Sequence, residues 1–288
     1  MTLCVSVVVP TCGRPGLLAR CLEALERQTL ARASYEIVVI EDKERAGPAA
    51  ARNRGWRAAR ATIVAFTDDD CVPDQDWLRF GLQAFEQGAD AVCGRIVMPV
   101  REQPTDYERD AQGLERSEFV TANCFCRKEV LERLGGFDER FRLAWREDSD
   151  LHFGLLELGA RIVHEPRAIV VHPVRSARWG VSLSQQRKVM FDALLYKKHP
   201  DLYRARIRAA PRWDYYAIVI SLALAVAGLW PALVLWLALT ARFCAQRLRG
   251  TSRSARHVLE MILTSMAIPA LAVFWRLVGA LKFRTAFA

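Results

Sequence analysis

The chain has 288 residues, 52% of them hydrophobic and 25% charged, with a formal net charge of +9 at pH 7. This composition excludes a disordered chain and a protein that is membrane from end to end, and the length suffices for one large core or two modest ones. The charge is divided: residues 1–174 carry 28 acidic and 23 basic side chains, residues 175–288 carry 4 acidic and 18 basic, as expected of two parts with different neighbours.

The first hundred residues alternate. "LCVSVVVP" is a strand by its apolar, β-branched run, and "PGLLARCLEALERQ" has apolar residues at helical spacing. The N-terminus lacks a basic leader, and the run from Leu3 to Val9 is too short for a signal peptide. "YEIVVIE" is a second strand; "GPAAARNRGWRAARA" is a helix with Pro48 suited to its first turn; "ATIVAF" is a third strand; "DWLRFGLQAFEQG" is a helix closed by Gly88. Strands alternating with helices predict right-handed crossovers and a mainly parallel sheet, with ligands at the carboxyl ends of the strands.

Further on, "ADAVCGRIVMPV" and "EFVTANCFCR" are expected strands, separated by an irregular charged segment, Arg101 to Ser117. "EDSDLHFGLLELG" is a helix, and "ARIVHEPRAIVVHP" is expected to hold two short strands. Nothing repeats at a fixed period, which excludes a solenoid. The eight cysteines include no CxxC pair, so they read as reduced, mostly buried thiols of a cytosolic protein without a zinc site.

After Val174 the character changes. Residues 176–213 are basic and amphipathic, and residues 214–288 are expected to hold about two hydrophobic helices. Tyr215 to Ala241 runs 27 residues without a charge, and a second stretch has 15 uncharged residues between Glu260 and Arg276. A helix of the first length measures ~40 Å, more than a ~30 Å hydrocarbon core requires. The arginines flank these runs instead of lining a polar face, an arrangement that fits anionic membrane lipids and not nucleic acid. Arginines on both sides of the first run leave two topologies open: a simple span, or a re-entrant hairpin broken between Gly228 and Pro231.

The chemistry gathers at "FTDDDCVPDQDW", where Asp68, Asp69 and Asp70 directly follow the third strand. Like charges repel, and a divalent cation with oxygen ligands, Mg²⁺ or Mn²⁺, relieves that repulsion. On an extended backbone Asp68 and Asp70 point the same way and Asp69 faces elsewhere. An acidic loop capping the next helix is the other reading of the run alone.

The run has company. "VSVVVPTCGRP", "EIVVIED", "GPAAARNRGWRAARATIVAFTDDDCVPDQDWL" and "WREDSDLHFGLLELGARI" occur in this order. Together, over about residues 3–175, they resemble the family 2 glycosyltransferases, inverting enzymes of the GT-A fold. The resemblance implies an α/β GT-A catalytic domain at residues 1–175 that binds a nucleotide-sugar donor. It implies a divalent metal on Asp68 and Asp70, with His172 near it, and one of the three aspartates, such as Asp69, on the ribose. Pro10, Thr11, Arg14, Arg52 and Asn53 match segments beside the nucleotide, and Asp42 matches the acidic residue that contacts the base. The Gly/Ser-rich loop common after the family's second strand is shorter here. Asp148 matches the general base of the family's "ED" motif, with Glu147 beside it. Trp145, Asn123 and Asp138 lie in segments that shape the acceptor side.

A base is needed for a hydroxyl acceptor and not for an already ionised phosphate. The expected activity is therefore sugar transfer to a hydroxyl of a lipid-linked or membrane-associated acceptor, by an enzyme of the inner membrane whose catalytic domain faces the cytosol. A polyprenyl-phosphate glycosyltransferase of the same fold and a non-catalytic nucleotide-binding scaffold are the alternatives.

Overall fold

The computed structural model describes residues 3–287. The chain forms two compact units, Met1–Pro99 with Gln112–Val174, and Val100–Ala111 with Arg175–Ala288.

In the first unit the chain runs β1 (Val5–Thr11), α1 (Pro15–Glu26), β2 (Tyr35–Glu41), α2 (Pro48–Ala58), β3 (Ile63–Phe66), β4 (Val72–Pro73), α3 (Trp77–Glu86) and β5 (Ala91–Val97). After α4 (Asp106–Gln112) come β6 (Cys124–Arg127), α5 (Lys128–Leu134), α6 (Glu147–Glu157) and β7 (Ile162–Val171). The strands form one seven-stranded sheet in the order β2-β1-β3-β6-β5-β7-β4. Its first three strands pair in parallel, as their crossover helices dictate. β6 then runs antiparallel to both β3 and β5, and β4 antiparallel to β7, so the whole sheet is mixed.

Three expected elements differ. The charged segment after β5 contains α4 and a short 3₁₀ turn instead of irregular chain. "EFVTANCFCR" is extended only from Cys124; Thr121–Asn123 form a 3₁₀ turn. "ARIVHEPRAIVVHP" is one strand, not two, with a register irregularity where Arg95 pairs with Ile169 after Gly94 pairs with Glu165. That bulge accommodates Pro166, which has no N–H for the ladder.

β1 is buried along its whole length, and Val8, Val64, Phe66, Trp56, Phe137 and Leu151 belong to the main core. All eight cysteines are free thiols, six of them buried. Gly136, half-buried beside this core, has φ +79, and a Cβ there would lie 2.4 Å from Asn53 Oδ1 and 2.6 Å from Trp56 Nε1.

The second unit is helical: α7 (Val181–Gln185), α8 (Met190–Lys198), α9 (Pro200–Arg206), α10 (Trp213–Val226), α11 (Trp230–Leu248) and α12 (Ala255–Phe283). The 27-residue uncharged run is not one helix. It breaks at Gly228, whose φ of +94 turns the chain, and α11 restarts with Pro231 in its first turn. α10 and α11 then pack on each other as a hairpin. α10, at 14 residues, is ~21 Å long. Among the described residues the one helix long and apolar enough to cross a membrane is α12, with 29 residues. It absorbs the second uncharged stretch and continues past Glu260 and Arg276 at either end.

The amphipathic stretch also uses its apolar side within the unit. Phe191, Leu194 and Leu195 are buried, α8 packs on α12, and Lys197 Nζ donates to Phe283 O at 2.8 Å. Arg247 Nη2 pairs with Asp106 at 2.7 Å, and its Nη1 donates to Thr264 and Ser265, which fastens the 100–111 segment into this unit. Large apolar side chains of α10–α12 remain exposed, among them Leu224, Val226, Trp230, Leu235, Phe274 and Leu281.

Gly136→Ala combines a disfavoured left-handed backbone with a clash against Asn53 and Trp56. It should destabilise the sheet unit by ~2–4 kcal/mol, read as a lowered thermal midpoint of the detergent-solubilised protein. An unchanged midpoint would refute this packing.

Candidate active site

The acidic run does not continue β3. Cys71 N donates to Asp68 O at 3.0 Å, so the backbone turns at Asp69 and Asp70. The period-two alternation expected of an extended chain therefore fails, and the three carboxylates face different neighbours, with Arg14 shared between Asp69 and, at 3.8 Å, Asp70. Asp68 Oδ1 accepts from Arg52 Nη2 at 2.7 Å. Asp69 Oδ1 lies 2.8 Å from Arg14 Nη2, and its Oδ2 accepts from Thr11 Oγ1 at 2.7 Å. Asp70 Oδ1 lies 3.8 Å from His172 Nε2.

Arg52 is the hub. It lies on α2, whose buried Ala49, Ala50 and Ala51 let the helix lie close to the sheet. The guanidinium is 3% exposed, and its second arm, Nη1, reaches Glu147 Oε1 at 3.2 Å. It thus joins the end of β3 to the start of α6. Arg146, with φ +75, turns the chain into that helix, whose first turn carries Glu147, Asp148 and Asp150. Acidic groups there face the positive end of the helix dipole. Asp148 Oδ1 accepts from Thr121 Oγ1 at 2.7 Å, while Oδ2 makes only a 3.4 Å contact with Thr121 N.

These environments tune the carboxylates. Burial pushes Asp68 up, but Arg52 and His172 outweigh it and hold the group below its ordinary value. Burial raises Asp69 more than Thr11 and Arg14 lower it. Glu147 is pushed up to about 8, first by burial and then by Asp148, against the pull of Arg52. Asp148 is also raised, by burial, although Arg52 and Thr121 oppose the shift. Each of the two adjacent carboxyls therefore resists carrying a negative charge beside the other. Solvent contact favours that charge on Asp148, which is half-buried, over Glu147, which is 3% exposed.

A second cluster brings Asp70, His172 and Cys71 together, with ligand atoms within 4.8 Å of one another. Asp68, expected with Asp70 on the metal, is against Arg52 instead, because the turn sends it the other way. His172 Nδ1 is buried without a hydrogen-bond partner among the described residues. The Cys71 thiol is pushed well up by burial and by Asp68 and Asp70, so it stays protonated and is a poor ligand for a hard cation. A carboxylate with an imidazole suits Mn²⁺ well and Mg²⁺ less so.

Several expected site residues are committed elsewhere. All four hydrogen-bonding positions of Asn53 are taken: Oδ1 by Phe137 N and Trp56 Nε1, Nδ2 by Phe137 O and Glu139. Asn123 has three of its four positions taken, Oδ1 by Trp77 Nε1 and Nδ2 by Arg95 O and Ala168 O, and its side chain is fully buried away from solvent. Asp138 chelates its neighbour Arg140. Pro10 lies buried in β1, paired with Ile40. Asp42 accepts from Ala46 N and Gly47 N and pairs with Arg54, so its carboxylate shapes the short loop after β2. Trp145 is half-buried with the Arg146 guanidinium 4.7 Å above its ring. Thr121 and Cys71 were not legible as site residues; Thr121 falls in a stretch whose pattern reads as a strand.

The chain has known relatives. Residues 37–137 match the model of glycosyl transferase family 2. The chain is 36% identical over 168 residues to the pre-mycofactocin glycosyltransferase of Mycobacterium tuberculosis, a match covering 53% of this chain and 35% of that protein. It is 26% identical over 222 residues to glycosyltransferase AglE of Haloferax volcanii, covering 64% of this chain and 71% of AglE. Among solved structures, the mannosyltransferase PcManGT of Pyrobaculum calidifontis, in complex with GDP-Man and Mn²⁺, superposes with a TM-score of 0.56 at 18% identity, over 99% of this chain and 88% of that one. S. aureus TarS 1–349 in complex with UDP-GlcNAc does so at 0.53 and 15% identity, over 93% and 91%. These neighbours share the GT-A fold.

Removing the hub leaves buried carboxylates without a counter-charge. Arg52→Ala should cost about 3–5 kcal/mol, and the deficit should shrink from pH 8 to pH 5. The sign follows from the carboxyls: without Arg52 the raised values of Glu147 and Asp148 climb further and Asp68 loses the pull that held it down, so the penalty fades at low pH, where the groups are protonated, and grows as pH rises through their folded values. Thermal melts across that range read it; a deficit that grows toward pH 5 would contradict the assignment.

Proposed function

The chain carries a glycosyl transferase family 2 domain of GT-A fold, and from that premise we propose that it is an inverting glycosyltransferase attached to the inner membrane. It moves a sugar from a nucleoside-diphosphate sugar to a hydroxyl of a lipid-linked or membrane-associated acceptor. The observation that carries this reading is the convergence, through Arg52, of the acidic run after β3 with the acidic start of α6. Two solved neighbours hold GDP-Man and UDP-GlcNAc, which supports a nucleotide-sugar as donor class.

Asp148 acts as general base. Thr121 orients it through Oδ1 and leaves Oδ2 to take the acceptor proton. The acceptor oxygen bonds to the anomeric carbon as the bond from that carbon to the diphosphate oxygen breaks, and the proton passes to Asp148. Glu147, paired with Arg52 and holding its own proton, keeps a second negative charge off the site. Arg14, partly exposed and anchored on Asp69, is placed to attract the diphosphate. Asp70 and His172 would hold the divalent cation, whose chemistry there is to neutralise charge on the departing diphosphate.

Membrane attachment rests on α12 and on the exposed apolar side chains of the helical unit. The lysines and arginines between Lys197 and Arg212 support a cytosolic placement of the segment preceding α10.

One donor assay tests the chemistry. Nucleoside diphosphate release by the detergent-solubilised chain should require Mn²⁺ or Mg²⁺ and stop with EDTA. Asp148→Asn should lower kcat by roughly 10²–10⁴-fold with donor binding intact. The acid limb of the wild-type profile should lie above the ordinary carboxylate range, activity falling as pH drops through it. Full activity in Asp148→Asn sinks the base assignment. Separately, the chain should stay in the membrane pellet after alkaline carbonate extraction; release to the supernatant would show it is not an integral protein.

A further inference from the structure

The helical unit contains a cavity of about 210 Å³ that nothing in the sugar-transfer reading uses. Tyr196 of α8, Tyr203 and Arg204 of α9, Arg208 in the following turn, Arg276 of α12 and Phe287 line it. A water takes ~30 Å³, so the space admits a group larger than a few waters. Among the described residues no Asp or Glu lines it, although Asp192 lies 4.0 Å from Arg276.

The three arginines are not equivalent. Arg204 is exposed and already served: it pairs with Asp201 at 3.4 Å, donates to the Tyr196 hydroxyl, and lies 4.9 Å over that ring. Arg276 is 5% exposed; its guanidinium stacks 4.6 Å over Phe287, with Asp192 at 4.0 Å. Arg208 makes no ion pair or side-chain hydrogen bond with any described residue, although its backbone N–H donates to Tyr203 O at 2.9 Å. Burial, Arg212 and Arg276 all act to lower its affinity for a proton. Arg212 is matched bidentately by Asp214, so its charge is answered outside the cavity. Among the described residues Arg208 is thus the lining guanidinium with no ion pair of its own, although Tyr203 and Asp192 favour its charge.

We propose that this cavity binds a phosphoryl anion, with Arg208 and Arg276 as its forked donors and Tyr196, Tyr203 and Phe287 as the walls. Guanidinium pairs match tetrahedral oxyanions, and stacking on aromatic rings holds them ready. The same chemistry is presented by a phosphate headgroup of a lipid and by free phosphate. The wall points to the lipid: Arg276 lies about two turns from the end of the apolar helix α12, where a headgroup would lie if that helix spans. The inference does not depend on sugar transfer, which is read separately by nucleoside diphosphate release.

Isothermal titration of the full chain in uncharged detergent at low salt tests it, with dihexanoyl phosphatidic acid, inorganic phosphate and dihexanoyl phosphatidylcholine as probes. Saturable binding of phosphatidic acid or phosphate is expected, weakened at least about tenfold in Arg208→Gln. Tighter binding of the lipid assigns a headgroup site; equal binding assigns free phosphate. Arg256→Gln, which removes one charge at the opposite end of α12, should bind like wild type. Arg208→Gln is chosen because its side chain is only partly buried, and its far-ultraviolet spectrum checks the fold. Absence of saturable binding, equal binding of phosphatidylcholine, or equal losses in Arg208→Gln and Arg256→Gln would each overturn the proposal.

Discussion

A single guanidinium holds the acidic cluster of the sheet unit together. Arg52 lies between Asp68 and Glu147, residues 79 positions apart in the chain. Burying a charge this deeply is costly unless its partners are close and well directed. Both conditions are met, because α2 approaches the sheet on three buried alanines and presents Arg52 between the two acidic segments. The spacing of the β3 end and the α6 start follows from that contact. So does the place of Asp148, which follows Glu147 on the same first turn.

The same logic answers the crowding of Asp68, Asp69 and Asp70. Three adjacent carboxylates could not all ionise in one direction at a strand end. A turn distributes them: Asp68 meets Arg52, Asp69 meets Arg14 and Thr11, and Asp70 lies between the His172 imidazole and the second arm of Arg14. The carboxylate with most solvent, Asp68, is also the one held ionised by Arg52. The cluster thus runs from the Arg52–Asp68 ion pair on one side to a histidine whose Nδ1 has no hydrogen-bond partner among the described residues on the other.

The helical unit solves a different problem. Its apolar runs are too long for a small soluble core, and the fold covers only part of them. α8 packs on α12, and Arg247 draws the 100–111 segment in through Asp106. Many large aliphatic and aromatic side chains stay outward on α10–α12, with charged residues such as Asp214, Arg242, Arg256 and Lys282 exposed near the helix ends. The arginines gather before α10, around the cavity near the end of α12, and in a second group from Arg242 to Arg256 where α11 passes into α12.

Local pattern alone determined much of this protein. β1, β2, β3 and the helices between them follow from apolar periodicity and from Pro15, Pro48 and Gly88, because each signal acts over one or two turns of chain. The ordered acidic motifs likewise marked Asp68–Asp70 and Asp148 as the chemical centre. Tertiary structure decided the rest. Asn53 and Asn123 carry the right chemistry for a site, yet packing partners distant in sequence consume every polar atom they have. Thr121 looked like part of a strand and became the residue that orients Asp148. The 27-residue apolar run became a hairpin because Gly228 could adopt a positive φ and helices could pack across the turn. Periodicity reports which face of a segment is apolar; which distant atom meets a given side chain is set only when the segments come together.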